Sequence, residues 1–381
     1  MRICVVSGTF HPEPGGPPTF LFHLLPKLVE RSHTVEVITY GEPGSPANYG
    51  YPVTRISRRH SIPIRLLNFI LAVLRASRRA DVFFVSDYGL PVALVNLFLR
   101  KPLALKNVGD FAWEFSTRHG WIPAGQTIDD FQTAPHSLRV NLLRAAQRWY
   151  TRAALRVIAP SHYSAGLVKG WGINPARVRV IYNALEQAEE PRRETAKQAL
   201  DVSGPLLVTV ARLAPWKGVA EVIRALEIVR RKFPTTQLMV VGDGPQRAAL
   251  EAQAAPLGEA VQFAGAQPPE RVRQYLLAAD VFVLFSTYEG LPHTVLEAMQ
   301  ARTPVVVSDA GGNQEVVTRG ETGWVVPKGD VQALASTMID VLSHPEQAAA
   351  RAAAAFVRLD RFSWSRLVDE YESTLLGVLE P

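Results

Sequence analysis

The chain predicts an α/β protein of two parallel-sheet halves, and three observations carry that expectation. Short β-branched runs alternate with helical stretches, the pattern of βα units that build parallel sheets. The alternation occurs twice, and a polar stretch without strand character, residues 184–205, separates the two series. At 381 residues the chain also exceeds a usual single core of roughly 100 to 200 residues, so two domains are the default.

In the first series the expected strands are ICVVS, VEVIT, the run 53–56, VFFV and LALK, followed by the strand before Ser161 and by VRVIYN. The second series runs LLVTV, LMVV, AVQFA, VFVLF and PVVV. The helices between them carry an apolar period. The expected boundaries are an N-terminal domain over 1–183, a linker over 184–204, a C-terminal domain over 205–361 and a last amphipathic helix over 362–381. Ser161 reads as a helix N-cap, a structural role.

Composition narrows the class. Hydrophobic content of 47% with 20% charged residues is globular. A single cysteine, Cys4, leaves no intramolecular disulfide framework and no cysteine metal cluster, and its place inside an apolar strand makes it a core residue. No His/Asp/Glu spacing resembles a metal site, so no metal and no cofactor is expected. With the first strand beginning at Arg2, a secretory signal is not expected and the cytoplasm is the expected location. The formal net charge of +6 and pI near 9.5 raise nucleic acid as a partner. No helix-turn-helix, RNA-binding or zinc-finger pattern accompanies that charge, and a cleft that attracts an anionic ligand accounts for it more simply. No apolar run reaches the roughly 18 to 20 residues a membrane span needs. The segment 54–81 carries Arg55, Arg58, Arg59, Arg65, Arg75, Arg78 and Arg79 around an apolar centre. It reads either as an anionic-membrane contact or as an ordinary sheet-packed helix with a basic rim.

The motifs with chemical content lie mostly in the second half. EGLPHTVLEAM, residues 289–299, puts Glu289 and Glu297 eight apart across a loop that enters a helix, with Pro292 expected in the first turn. The amides of Gly290, Leu291, His293 and Thr294 would point outward there, an anion site between two acids. Such a pair also occurs on solvated helix faces; context sets it apart. TVARLAPWKG places Arg212 and Lys217 where a strand ends, two cations that could hold a diphosphate. VVGDGP runs a strand into a turn at Gly244, and SDAGGNQEVV places Gly311 and Gly312 where the backbone could approach a ligand.

In order and spacing these motifs resemble those of the retaining nucleotide-sugar glycosyltransferases of family 4, which have the GT-B fold: two Rossmann-like domains facing a cleft, with the last helix crossing back to the first domain. The elements that carry the resemblance are Arg-x4-Lys-Gly at 212–218, Gly-Asp-Gly-Pro at 242–245 and Glu-x7-Glu at 289–297. The resemblance implies that Glu289 contacts the donor sugar, Glu297 binds the ribose hydroxyls, and Arg212 and Lys217 neutralise the diphosphate. It further implies that the loop with Gly15 and Gly16 closes over the donor. That loop lacks G-x-G-x-x-G, which removes the support for a dehydrogenase.

For the first half, many relatives carry a histidine in the loop after LALK, where this chain reads Gly-Asp-Phe-Ala-Trp-Glu. Asp110 is the first choice for sugar or acceptor contact, then Glu114 and His119. Trp113 and Trp121 are either stacking platforms for a sugar or packing residues. Asn183, at the end of VRVIYN, is a hinge first and a ligand contact second. The implied activity is metal-independent transfer, with retention, of a glycosyl group from a UDP- or GDP-linked sugar to a saccharide or lipid-linked hydroxyl. Alternatives are a nucleotide-sugar epimerase on the same fold or a catalytically silent nucleotide-sugar-binding protein.

Overall fold

In the computed structural model, residues 1–13, 15–42, 48–186, 193–200, 202 and 204–380 are described. Part of the expected linker, residues 187–192, 201 and 203, lies outside them. The chain forms two units, Met1–Asn183 with Trp364–Pro381, and Ala184–Ser363.

The first unit is built on a seven-stranded parallel sheet of β1 (Arg2–Ser7), β2 (Thr34–Tyr40), β3 (Val53–Ile56), β4 (Val82–Ser86), β5 (Leu103–Lys106), β6 (Arg156–Ala159) and β7 (Val178–Val180), in the order 3-2-1-4-5-6-7. Strands β1 and β4 are buried almost throughout, as apolar runs covered on both faces must be. Cys4 sits among them as a core residue. The helix Trp364–Leu376 completes this unit: Leu367, Val368, Tyr371 and Leu375 are buried. Arg31 pairs with Asp369 and Glu372, and His33 with Glu372.

The second unit has a six-stranded parallel sheet of β8 (Leu206–Val210), β9 (Gln237–Val241), β10 (Val261–Gly265), β11 (Val281–Leu284), β12 (Val305–Ser308) and β13 (Trp324–Val326), in the order 10-9-8-11-12-13. Its core joins Leu207, Val240 and Val283 to the helix Val219–Val229, whose Val222, Ile223 and Leu226 are fully buried. The edge strand β13, three residues long, was not anticipated from sequence; it is too short for alternation to register.

The stretch expected as a linker is not linker throughout. Its described part contains the helix Arg193–Ala199, which packs on the helix Pro269–Ala278. Lys197 there pairs with Asp280 at 2.8 Å, and the Leu206 amide donates to the same carboxylate at 2.8 Å. A polar stretch thus ties itself to the sheet's amino end with charge, beside the buried Ala196.

Candidate active site

In a parallel sheet, a crevice opens at the carboxyl end where two neighbouring strands send their connections in opposite directions. In the second unit that switch point lies between β8 and β11. The loops after these two strands carry Arg212, Lys217 and Glu289.

Backbone contacts lock the loops together. The Ala211 amide donates to Val241 O at 3.0 Å, Leu213 N to Asp243 O at 2.9 Å, and Thr287 N to Trp216 O at 2.8 Å. Gly218 adopts φ 68°, and a Cβ there would run into Phe285 O. Only glycine allows the β8 loop to close this tightly on the end of β11. The closure delivers Lys217 to Glu289, Nζ to Oε1 2.7 Å, with the carboxylate side chain 7% and the lysine 21% exposed. Gly312 N donates to Glu289 O at 2.8 Å, and a Cβ on Gly312 would strike Gly290 O, so the loop after β12 closes the other side. In the turn after β9, Asp243 Oδ1 accepts from Gly244 N at 2.7 Å, and Arg247 pairs with the same carboxylate.

Arg212 is exposed, and no described residue pairs with its guanidinium. Glu297, in the helix His293–Gln300, is half-buried without a side-chain partner among the described residues, and burial pushes its carboxyl up to about 7. Pro292 does not sit in the first turn as expected but caps it from outside: its ψ of 90° is not helical, and the Val295 and Leu296 amides both donate to its carbonyl. Leu291 and Pro292 are buried, whereas His293 and Thr294 are half-exposed. One cluster therefore gathers an open cation, a lysine–glutamate pair, a protonatable acid and glycine-lined backbone.

The first unit treats its candidates differently. Gly15 (φ 139°) and Gly16 open the helix Gly16–Glu30 and are exposed, at the switch point between β1 and β4. Asp110 does not stand open to a ligand. It is 2% exposed; its Oδ1 caps the helix Phe111–Arg118 by accepting from Trp113 N at 3.1 Å, and Oδ2 accepts from Gln132 Nε2 at 2.8 Å. An acid placed just before a helix satisfies the helix first, and sequence cannot separate that demand from a ligand's. Trp113 is a packing residue, 2% exposed, with its indole N–H on Gln126 O. Trp121 packs edge-on against Phe115 under Arg139, and His119 stacks on Phe115 with Nδ1 2.9 Å from Phe115 O. Glu114 is half-buried in the same helix. Asn183 is where the chain first leaves the first unit, and its Oδ1 accepts from Lys106 Nζ at 2.7 Å. Ser161 caps its helix as expected, accepting from Ser164 N at 3.0 Å.

Three of the arginines read as a membrane rim face the protein instead. Arg55 donates to His11 O and Tyr49 Oη, Arg58 pairs with Glu13 and donates to Gly8 O, and Arg65 lies over the Tyr40 ring. Arg55 and Arg58 brace the loop after β1. Arg59, Arg75, Arg78 and Arg79 remain exposed.

A family model described as "Glycosyltransferase Family 4" matches residues 14–188, and one described as "Glycosyl transferases group 1" matches 191–357. A glycogen synthase of Mycobacterium tuberculosis is 29% identical over 96% of this chain and 92% of its own. A GDP-mannose-dependent alpha-(1-6)-phosphatidylinositol monomannoside mannosyltransferase of Mycolicibacterium smegmatis is 38% identical over 42% of this chain and 44% of its own. Among solved structures, HepE of Anabaena in complex with UDP and glucose superposes with a TM-score of 0.79 at 21% identity, covering 99% of this chain and 100% of that one. Sucrose-phosphate synthase of Thermosynechococcus elongatus gives 0.81 at 21% identity, covering 99% and 98%. Two parallel-sheet Rossmann-like units, one completed by the returning last helix, define the GT-B class. The chain is a GT-B glycosyltransferase of the family 4-like type.

Proposed function

We propose that the protein transfers a sugar from a UDP- or GDP-linked donor to a hydroxyl of a saccharide or lipid-linked acceptor, with retention at the anomeric carbon, in the synthesis of cell-surface glycan or glycolipid. The observation that carries this reading is the Lys217–Glu289 pair at the switch point of the second sheet, beside the open Arg212. As the glycosidic bond stretches, negative charge grows on the departing diphosphate, and Arg212 and Lys217 meet it without a metal. Each such donor is worth about 3 to 4 kcal/mol in the transition state. Glu289 holds the sugar and Glu297 accepts from the ribose hydroxyls. The departing diphosphate takes the acceptor's proton on the same face, which preserves the configuration.

An anionic membrane surface is proposed as the place of work. The helix Ile62–Ser77 buries Phe69, Val73 and Ala76, yet its Ile64, Leu67, Leu71 and Leu74 form a second apolar stripe that is 37–55% exposed. Phe98 on the adjoining helix Leu90–Leu99 is 87% exposed. Arg75, Arg78 and Arg79 border this surface, the composition of an interfacial helix.

The test is a thermal-shift panel of UDP, GDP, ADP and their sugars without metal, followed by NMR assignment of the product anomer. A ligand bound only by the folded protein raises its melting temperature. A shift with UDP or GDP and a product of unchanged anomeric configuration is expected; no shift with any nucleotide would overturn the reading.

A further inference from the structure

The two sheets carry similar short sequences at the same topological place, sharing Ser-x-Tyr and Gly-Leu-Pro. In the first unit, Val82-Phe-Phe-Val-Ser86-Asp87-Tyr88-Gly89-Leu90-Pro91 follows β4 into a helix; in the second, Val281-Phe-Val-Leu-Phe-Ser286-Thr-Tyr288-Glu289-Gly290-Leu291-Pro292 follows β11 into a helix. Each strand is the neighbour of its unit's first strand, across the switch point from the second. Ser86 and Ser286 are both fully buried with hydroxyls that have no hydrogen-bond partner. In this correspondence Asp87 stands at the position of Thr287, two residues before Glu289, and Glu289 itself has no counterpart in the shorter turn of the first unit.

The local geometry singles out Asp87. Its φ is 71°, a left-handed conformation uncommon for a residue with a side chain, though asparagine and aspartate tolerate it best. The turn is pinned on every side: Asp87 N donates to Lys106 O at 3.3 Å, Gly89 N donates to Asp87 O at 3.2 Å, and Tyr88 Oη lies 2.9 Å from Tyr40 Oη. A Cβ on Gly89 would strike the Tyr150 ring, so the turn cannot relax toward the helix. Asp87 keeps solvent-exposed surface and its side chain makes no hydrogen bond or ion pair with a described residue, although burial among the surrounding protein pushes its carboxyl above the usual carboxylate range. Backbone order is thus spent on presenting an acid that the fold does not use.

We infer that Asp87 is an acceptor-binding residue whose carboxylate takes hydrogen bonds from hydroxyls of an uncharged sugar; the inference rests on the glycosyltransferase reading above. The contrast with Glu289 sets the ligand class. Glu289 has a lysine beside it and belongs to a cationic cluster suited to a diphosphate, whereas Asp87 has no cation partner among the described residues and would repel a diphosphate. Neutral, donor-rich hydroxyls are what a lone exposed carboxylate recognises. Asp87 takes the place that sequence gave to Asp110, whose own carboxylate is spent on a cap.

The test is Asp87→Asn, which keeps the size and the tolerated backbone conformation and removes the charge. Transfer from UDP-glucose and GDP-mannose to glucose, mannose, maltose and methyl α-glucoside is measured beside UDP and GDP thermal shifts. The expected result is an acceptor KM raised about ten- to a hundredfold, the size of a lost charged hydrogen bond, with the nucleotide shift unchanged. A wild-type acceptor KM in the variant would overturn the inference. So would loss of cooperative melting, which would make Asp87 structural, or a wild-type enzyme that binds nucleotide yet transfers to none of these sugars. Absence of any nucleotide shift in the wild type would instead sink the glycosyltransferase reading and this inference with it.

Discussion

Glu297 is a half-buried carboxyl without a side-chain partner among the described residues, and burial makes its charge depend on pH near neutrality. Burial raises it from 4.5 to about 7, so between those values the folded chain keeps a proton that the unfolded chain has lost. Stability contributed by this group therefore falls as pH rises from about 4.5 to 7. Ribose binding runs the other way, because the ionised form accepts hydroxyls better. Nucleotide affinity measured by calorimetry is expected to tighten as pH rises through about 7 and to lose that slope in Glu297→Gln; a pH-independent wild type would remove Glu297 from the ribose. Lys217→Ala is expected to lower turnover about a hundredfold or more while the protein still melts cooperatively. Activity near wild type in that variant would separate Lys217 from the diphosphate. At this scale the motifs of the second unit were legible as a group, and the structure brings Lys217 and Glu289 together. Sequence named Asp110 and Trp113 less well, because capping and packing demand the same residue types as ligands do.

At the scale of elements, the helix Ile62–Ser77 shows how period and partner are separate questions. Its apolar content was legible; which stripe is covered was not, since Phe69 and Val73 pack on the sheet while Leu67 and Leu71 do not. Replacing both Leu67 and Leu71 by Glu is expected to leave the melting temperature within a few degrees and to abolish co-sedimentation with phosphatidylglycerol vesicles at low salt. Equal binding of wild type and variant would assign the stripe another purpose. The arginines in and around this helix teach the same lesson. Seven were legible as one basic group, but Arg55 and Arg58 are taken up by the loop after β1 and Arg65 by Tyr40 at the end of β2.

For the molecule as a whole, Lys106 matters more than its place in an apolar strand announced. It is 3% exposed, with Nζ 3.9 Å from the Phe20 ring centroid, and it donates to Asn183 and to the Tyr371 hydroxyl at 3.1 Å. One buried amine thus holds the residue where the chain leaves the first unit and the helix by which it returns. Burial lowers its pKa from 10.5 to about 7, so between these values the unfolded chain carries a proton the folded one lacks, and stability rises with pH across that window. Lys106→Met is expected to flatten the pH dependence of urea melts between about 7 and 10 and to stabilise the first unit below pH 7. A variant with the wild-type slope would mean that the amine stays charged in the fold.

What the amino-acid sequence determined by itself was the alternation of strands and helices, the division near Asn183 and the family of motifs on the second sheet. These are local patterns, and local patterns survive without knowledge of what packs where. Tertiary structure decided which side chains are used up by the fold. It closed Gly218 onto Phe285 so that Lys217 reaches Glu289 across 72 positions of chain, it buried Asp110, and it left Asp87 open. Proximity and burial belong to the folded chain alone, because both depend on residues far apart in sequence arriving at one point.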